Sequence, residues 1–130
     1  MPASVRGTTD NAARTACGTV GAMHGTPYLT VTTTAPGEDV ARRIAAGAVE
    51  RRLAACAQID GPVTSVYRWQ GRIETDAEWR VVFKTTGERY AELEAHIREG
   101  HPYDVPEIIA TPVTAGGADY LAWLRSETGP

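Results

Sequence analysis

The stretch "GHPYDVPEIIATPV", Gly100 to Val113, holds three prolines (Pro102, Pro106 and Pro112) around a histidine, a tyrosine, two acids and an apolar run. It reads either as a stiff surface connector or as a β-strand that prolines have bounded. Proline fixes its own φ and pushes the preceding residue toward an extended conformation. His101 and Val105 are therefore expected to be extended, and the His-Pro-Tyr segment to be ordered at little entropic cost. From Glu107 to Val113 the pattern alternates, with Ile108 and Ala110 on one face and Ile109 on the other, which is a strand signal. Pro112 cannot donate to a ladder, so it belongs at a strand end, an edge or a bulge.

Working outward, Tyr28 to Thr34 is β-branched and alternating, and Pro36-Gly37 ends it. In "EDVARRIAAGAVERRLAAC", Val40, Ile44, Ala48, Val49 and Leu53 recur near helical period. Glu38 and Asp39 load the first turn and Arg51-Arg52 the last, which suits the helix dipole. Gly47 costs this helix about 1 kcal/mol relative to alanine and permits a close approach. "AQIDGPVTSVYRW" is a second extended segment interrupted at Gly61-Pro62, with Val63, Ser65, Tyr67 and Trp69 on one face. Gln70-Gly71 is a tight turn, since glycine supplies the positive φ that hairpin turns need. "RIETDAEWRVVFKTT" returns as a third strand, with Trp79, Val81 and Phe83 opposite Val82 and Lys84.

A second helix is expected over Glu88 to Glu99. Thr85 and Glu88 stand at capping-box spacing, Tyr90, Leu93 and Ile97 form the buried stripe, and Gly100 is the stop. A short last helix, "ADYLAWLRSE", should bury Tyr120, Leu121 and Leu124. With Gly100 to Val113 supplying the fourth strand, the order is strand, helix, strand, strand, helix, strand, then a helix. This is the α+β, ferredoxin-like split β-α-β plan, an antiparallel sheet with two helices on one face. Sheet edges of this kind invite pairing with another chain.

The chain has 130 residues, 42% of them apolar and 22% charged, with a formal charge of −3. That suits a small globular domain and argues against nucleic acid as the main partner. The pairs Arg42-Arg43 and Arg51-Arg52 lie among acids and apolar residues, as on a solvated helix face. No run is long and apolar enough for a membrane span, and no secretory h-region opens the chain, so a cytoplasmic location is expected. Met1 to Gly25 lacks an apolar period and is read as a poorly ordered extension, with residues 26–130 as the folded domain. Cys17 and His24 fall in that extension. Two cysteines so far apart form neither a disulfide framework nor a metal clip.

Several of these segments together resemble one family, the CutA divalent-cation tolerance proteins. The matching stretches are "TAPGEDVA", "ERRLAACAQI", "VTSVYRWQGRIE", "KTT", "HPYDVPEI" and "DYLAWL", which cover Tyr28 to Glu127. The resemblance implies a homotrimer of ferredoxin-like subunits whose strands pair edge to edge. It also implies a role in the response to divalent metals with copper binding, and a plan similar to the nitrogen-regulatory PII proteins, which bind effectors in clefts between subunits. The likeness departs at Gly37, where the family usually has a capping Asp or Asn. Asp104 replaces the commoner Glu. A copper site implied for some members uses a cysteine and two histidines; the matching positions are Thr33, Gly100 and His101, so only one imidazole remains.

No Ser/His/Asp set, Gly-rich phosphate loop or H-E-x-x-H is present, so the expectation is a non-enzyme that requires no cofactor. The ligand is expected to be copper or another divalent cation, or else a small anionic molecule or protein partner. The candidate residues are Tyr67, Trp69, Lys84, His101, Tyr103, Glu107 and Trp123, expected to converge on one cleft near a subunit boundary. His101 is the candidate metal ligand, being an imidazole that titrates near neutrality. Its bland alternative is a structural histidine hydrogen-bonded beside Tyr103. Tyr67, Trp69 and Trp123 could wall a cleft or simply pack. Lys84 could meet an anion, or its ammonium could simply reach solvent while the stem packs; Glu107 could pair with it across the sheet or coordinate a cation. Cys56 is expected to act as a small buried apolar residue.

Overall fold

A computed structural model of the protein describes residues 27–130. Cys17 and His24, and the reading of the first 25 residues, lie outside them. The chain runs β1 (Tyr28–Ala35), α1 (Glu38–Glu50), β2 (Cys56–Trp69), β3 (Arg72–Thr86), a 3₁₀ turn (Gly87–Arg89), α2 (Tyr90–Gly100), β4 (Ile109–Pro112) and α3 (Ala118–Glu127). The four strands form one antiparallel sheet in the order β2-β3-β1-β4. It is an α+β architecture.

One sheet face is apolar because β1 and β3 alternate in phase. Val31 pairs with Phe83 and Thr33 with Val81 across the ladder. Leu29, Val31, Val81 and Phe83 pack there against Ala41, Ile44, Ala45 and Ala48 of α1 and Tyr90, Leu93 and Ile97 of α2. Both helices therefore lie on that face. The opposite face carries Thr30, Thr32, Arg80, Val82 and Lys84, and α3 approaches it, since the Lys84 ammonium stands over the Tyr120 ring.

The register explains the hairpin. β1 pairs only with Trp79–Thr86 of β3, so Arg72–Glu78 has β2 as its sole strand partner. A β-bulge between Asp60 and Val63 re-aims β2 there, with a cis Gly61-Pro62 bond. Gln70 and Gly71 both have positive φ (51° and 78°), as a two-residue hairpin turn requires. Beyond the bulge, Val66 and Ile73 are about two-thirds exposed (66% and 62%).

Five sequence expectations change. Arg51-Arg52 does not close α1: the helix ends at Glu50, and Arg52 turns left-handed at φ 60°, so its guanidinium reaches the carbonyls of Ser126 (2.7 Å) and Gly129 (3.0 Å). Thr85 does not cap the second helix, because its hydroxyl donates instead to the buried Leu53 carbonyl at 2.6 Å. The fourth strand is shorter than Glu107–Val113, running Ile109–Pro112 as an edge strand with Pro112 at its end. Of the three residues expected to be buried in the last helix, only Leu124 is; Leu121 is half-buried and Tyr120 exposed. Cys56 is half-buried, not buried.

Candidate ligand site

The Pro-flanked segment between α2 and β4 is held by its histidine. His101 is only 2% exposed. The Tyr103 backbone N–H donates to its Nδ1 at 3.1 Å. Nδ1 must therefore present its lone pair, which leaves the proton on Nε2, where it is donated to the Thr34 carbonyl at 2.6 Å. Burial lowers the His101 pKa, which agrees with this neutral form.

That fold-back seats Tyr103 against the imidazole, with ring centroids 4.8 Å apart. Its hydroxyl donates to Oε2 of the buried Glu78 at 3.2 Å. Burial, together with the Glu78 charge, raises the phenol well above the ordinary tyrosine range. Along the hairpin, the Tyr67 hydroxyl donates to Asp76 Oδ2, and this bond pushes the half-buried phenol up to about 12. Glu107 closes the group: burial raises its pKa, and the neighbouring Glu78 charge adds to the rise. Arg80, ion-paired to Asp60 at 2.8 Å, supplies the nearby positive charge.

The seven candidates do not make one cleft within the chain. Tyr67, His101, Tyr103 and Glu107 gather around Glu78. Lys84 instead lies 5.5 Å from the Tyr120 ring centroid, and Tyr120 stacks at 5.4 Å on Trp123, which is 42% exposed. Glu78 and Lys84 are six residues apart on one strand, about 20 Å at the β rise. The Lys84–Glu107 pairing considered above is not made; Glu107 stands with Glu78 and Arg80. Trp69 sits at the hairpin tip opposite Arg72.

The sequence reading missed Glu78, Asp76 and Thr34. Glu78 could have been flagged, because it shares strand parity with Lys84 and so faces the same side of the sheet. Thr34 could not, since its part is played by a backbone carbonyl.

The donor set for a metal is poor. Among the described residues, no group of three or more His, Cys, Asp and Glu side chains is gathered to hold an ion. Thr33 is fully buried on the helix-facing side of β1. A side chain at Gly100 would meet Ile44 Cγ1 at 3.3 Å.

A family model described as CutA1 divalent ion tolerance protein matches residues 29–127. The chain belongs to the CutA1 divalent ion tolerance family. It is 48% identical over 96 residues to the divalent-cation tolerance protein CutA of Thermus thermophilus, covering 74% of this chain and 93% of that protein. It is 44% identical to human protein CutA over 73% of this chain but only 53% of the human protein. It is 38% identical to the chloroplastic CutA 1 of rice, covering 78% of this chain and 58% of that one. The chain thus spans just over half the length of these eukaryotic relatives.

Two solved structures agree with the fold. The Thermus thermophilus CutA1 structure superposes with a TM-score of 0.77 at 46% identity, covering 78% of this chain and 99% of that one. The CutA1 of Shewanella sp. SIB1, described as a stable protein, gives 0.79 at 38% identity over 81% and 98%. Among the described residues, no helix is long and apolar enough to cross a membrane.

Proposed function

We propose that this CutA-family chain works as a cytoplasmic homotrimer of ferredoxin-like subunits in tolerance to divalent metal ions, as a binding protein and not an enzyme. The observation behind the trimer is the β2–β3 hairpin beyond the bulge. A two-stranded ribbon is marginal in water by itself. This one exposes Val66 and Ile73, and its outer strand β2 is a sheet edge among the described residues. The other edge, β4, is just four residues long and likewise open, with Ile109 56% exposed. Neighbouring copies that paired these edges would satisfy both.

The role in metal tolerance rests on the family and on the names of its relatives. Copper or another divalent cation would be met at a boundary between subunits, since the described residues of one subunit gather no ligand set. Light scattering on a size-exclusion column tests the assembly. A trimer at micromolar concentration that falls apart in Val66→Asp or Ile73→Asp supports the reading, and a parent monomer would overturn it. Isothermal titration with Cu(II) and Zn(II) then tests the cation.

A second reading, a PII-like sensor of a small anionic molecule or a protein partner, is favoured by Lys84. Its ammonium stands over Tyr120 beside the half-exposed Trp123, an arrangement suited to an anion with an aromatic or apolar body. A thermal-shift screen of small anions would find it, and Lys84→Met should abolish the response.

A further inference from the structure

We infer that His101 is a positioning residue, a closed joint that sets Tyr103 against Glu78, and that the position where the family likeness implies a copper ligand takes no metal in this chain. A neutral imidazole has one N–H and one lone pair. Here the N–H goes to the Thr34 carbonyl and the lone pair receives the Tyr103 N–H, so neither is left for an ion. A metal at Nδ1 would strand the Tyr103 amide inside the fold, and a metal at Nε2 would strand the Thr34 carbonyl, each at the cost of an unpaired buried group.

The surroundings close the same place. The ring is 2% exposed and lies against the Tyr103 ring. Of the two companion positions, Thr33 is fully buried on the helix-facing side of β1, and Gly100 has no side chain, with an added Cβ standing 3.3 Å from Ile44 Cγ1. A lone imidazole is in any case a weak site for copper or zinc.

The ring has a positive role instead. His101 turns the chain back on itself within two residues, so that the Tyr103 hydroxyl arrives 3.2 Å from Glu78. Without the ring, the turn loses its acceptor and its tie to β1, and Tyr103 loses its fixed approach.

Imidazole ¹⁵N NMR on the full chain tests this without any substitution. The expected spectrum shows His101 neutral and protonated on Nε2, and both nitrogen shifts should stay unmoved when Zn(II) is added in stoichiometric amount. A zinc-induced shift of either His101 nitrogen would overturn the inference. The variant His101→Gln supplies the second arm. Removing a true ligand should cost zinc or copper affinity at least about tenfold, the scale set by lesser outer-shell losses. The expected affinity, at whatever site the metal binds, matches the parent's, and a tenfold loss would refute the inference. In the same variant the Tyr103 phenol should titrate at lower pH than in the parent, because it no longer faces Glu78. An unchanged Tyr103 titration would refute the positioning role.

Discussion

Gly47→Ala should destabilise this protein, although helix propensity alone says the opposite. Gly47 lies inside α1, where alanine would ordinarily be better by about 1 kcal/mol. A Cβ at that position would stand 2.7 Å from His96 Cε1 and 3.1 Å from its Nε2. The His96 ring cannot swing aside freely, because it bridges the two helices. Its Nε2 donates to the Ile44 carbonyl at 3.0 Å, and its Nδ1 accepts from Arg51 at 3.0 Å. Overpacking costs about 1–3 kcal/mol. Losing the Ile44 bond costs about 0.5–1.5 kcal/mol more. The Arg51 bond is exposed and adds little. Against the propensity gain, the net is a loss of about 0.5–3.5 kcal/mol.

The decisive measurement is a double-mutant cycle by urea unfolding at fixed protomer concentration. With His96→Ala the obstruction is gone, and Gly47→Ala should then stabilise by about 1 kcal/mol. The substitution thus changes sign with the background. A stabilising Gly47→Ala in the parent would show that His96 yields its place at no cost, and the account of the helix contact would be wrong.

Other outcomes can be checked the same way. Stability should fall as pH drops below about 6.5, because the unfolded chain takes up a proton that buried His101 resists; the contribution is full above that pH and lost below it, and His101→Gln should flatten the slope between pH 5 and 7. Glu107 has the opposite sign: its raised pKa favours the folded state only while the carboxyl is protonated, so that contribution fades as pH rises from about 4.5, and Glu107→Gln should remove it. Tyr103→Phe should cost about 1–3 kcal/mol, read by urea unfolding, because a buried donor to Glu78 is lost. Arg52→Ala should speed amide exchange at the end of α3, where the guanidinium holds two carbonyls, and Arg52→Gly should be about 1 kcal/mol more stable than Arg52→Ala because glycine tolerates the left-handed backbone.

Most of the fold was legible because its elements announce themselves locally. The alternation of Val31, Phe83 and Val81, the Gln70-Gly71 turn and the Tyr90–Leu93–Ile97 stripe each follow from one period or one turn rule. The misreadings occur where a local rule met a distant partner. Thr85 has the spacing of a helix cap, yet its hydroxyl is taken by Leu53, 32 residues away. Arg51-Arg52 has the charge of a last helical turn, yet Arg52 leaves the helix to bind one carbonyl in the last turn of α3 and one just beyond it. Capping and dipole terms are worth about 1 kcal/mol or less, so a single long-range bond can outweigh them.

The candidate site was harder to read for the same reason, at closer range. Strand parity puts Tyr67, Glu78 and Lys84 on one side of the sheet, but parity gives no distance along it, and six residues of rigid strand separate the carboxylate end from the Lys84 end. The histidine is the sharper case. A ligand and a joint have the same sequence, His-Pro-Tyr after a helix. What separates them is the destination of each ring nitrogen. One partner is the amide two residues on, which a proline-stiffened turn could have suggested. The other is a carbonyl 67 residues earlier, on β1. A backbone carbonyl belongs to every residue type alike, so nothing about the identity of Thr34 announces it. Only the pairing of β1 with its neighbours brings that oxygen to the imidazole, and that pairing turns a residue with the chemistry of a metal ligand into one with no lone pair to give.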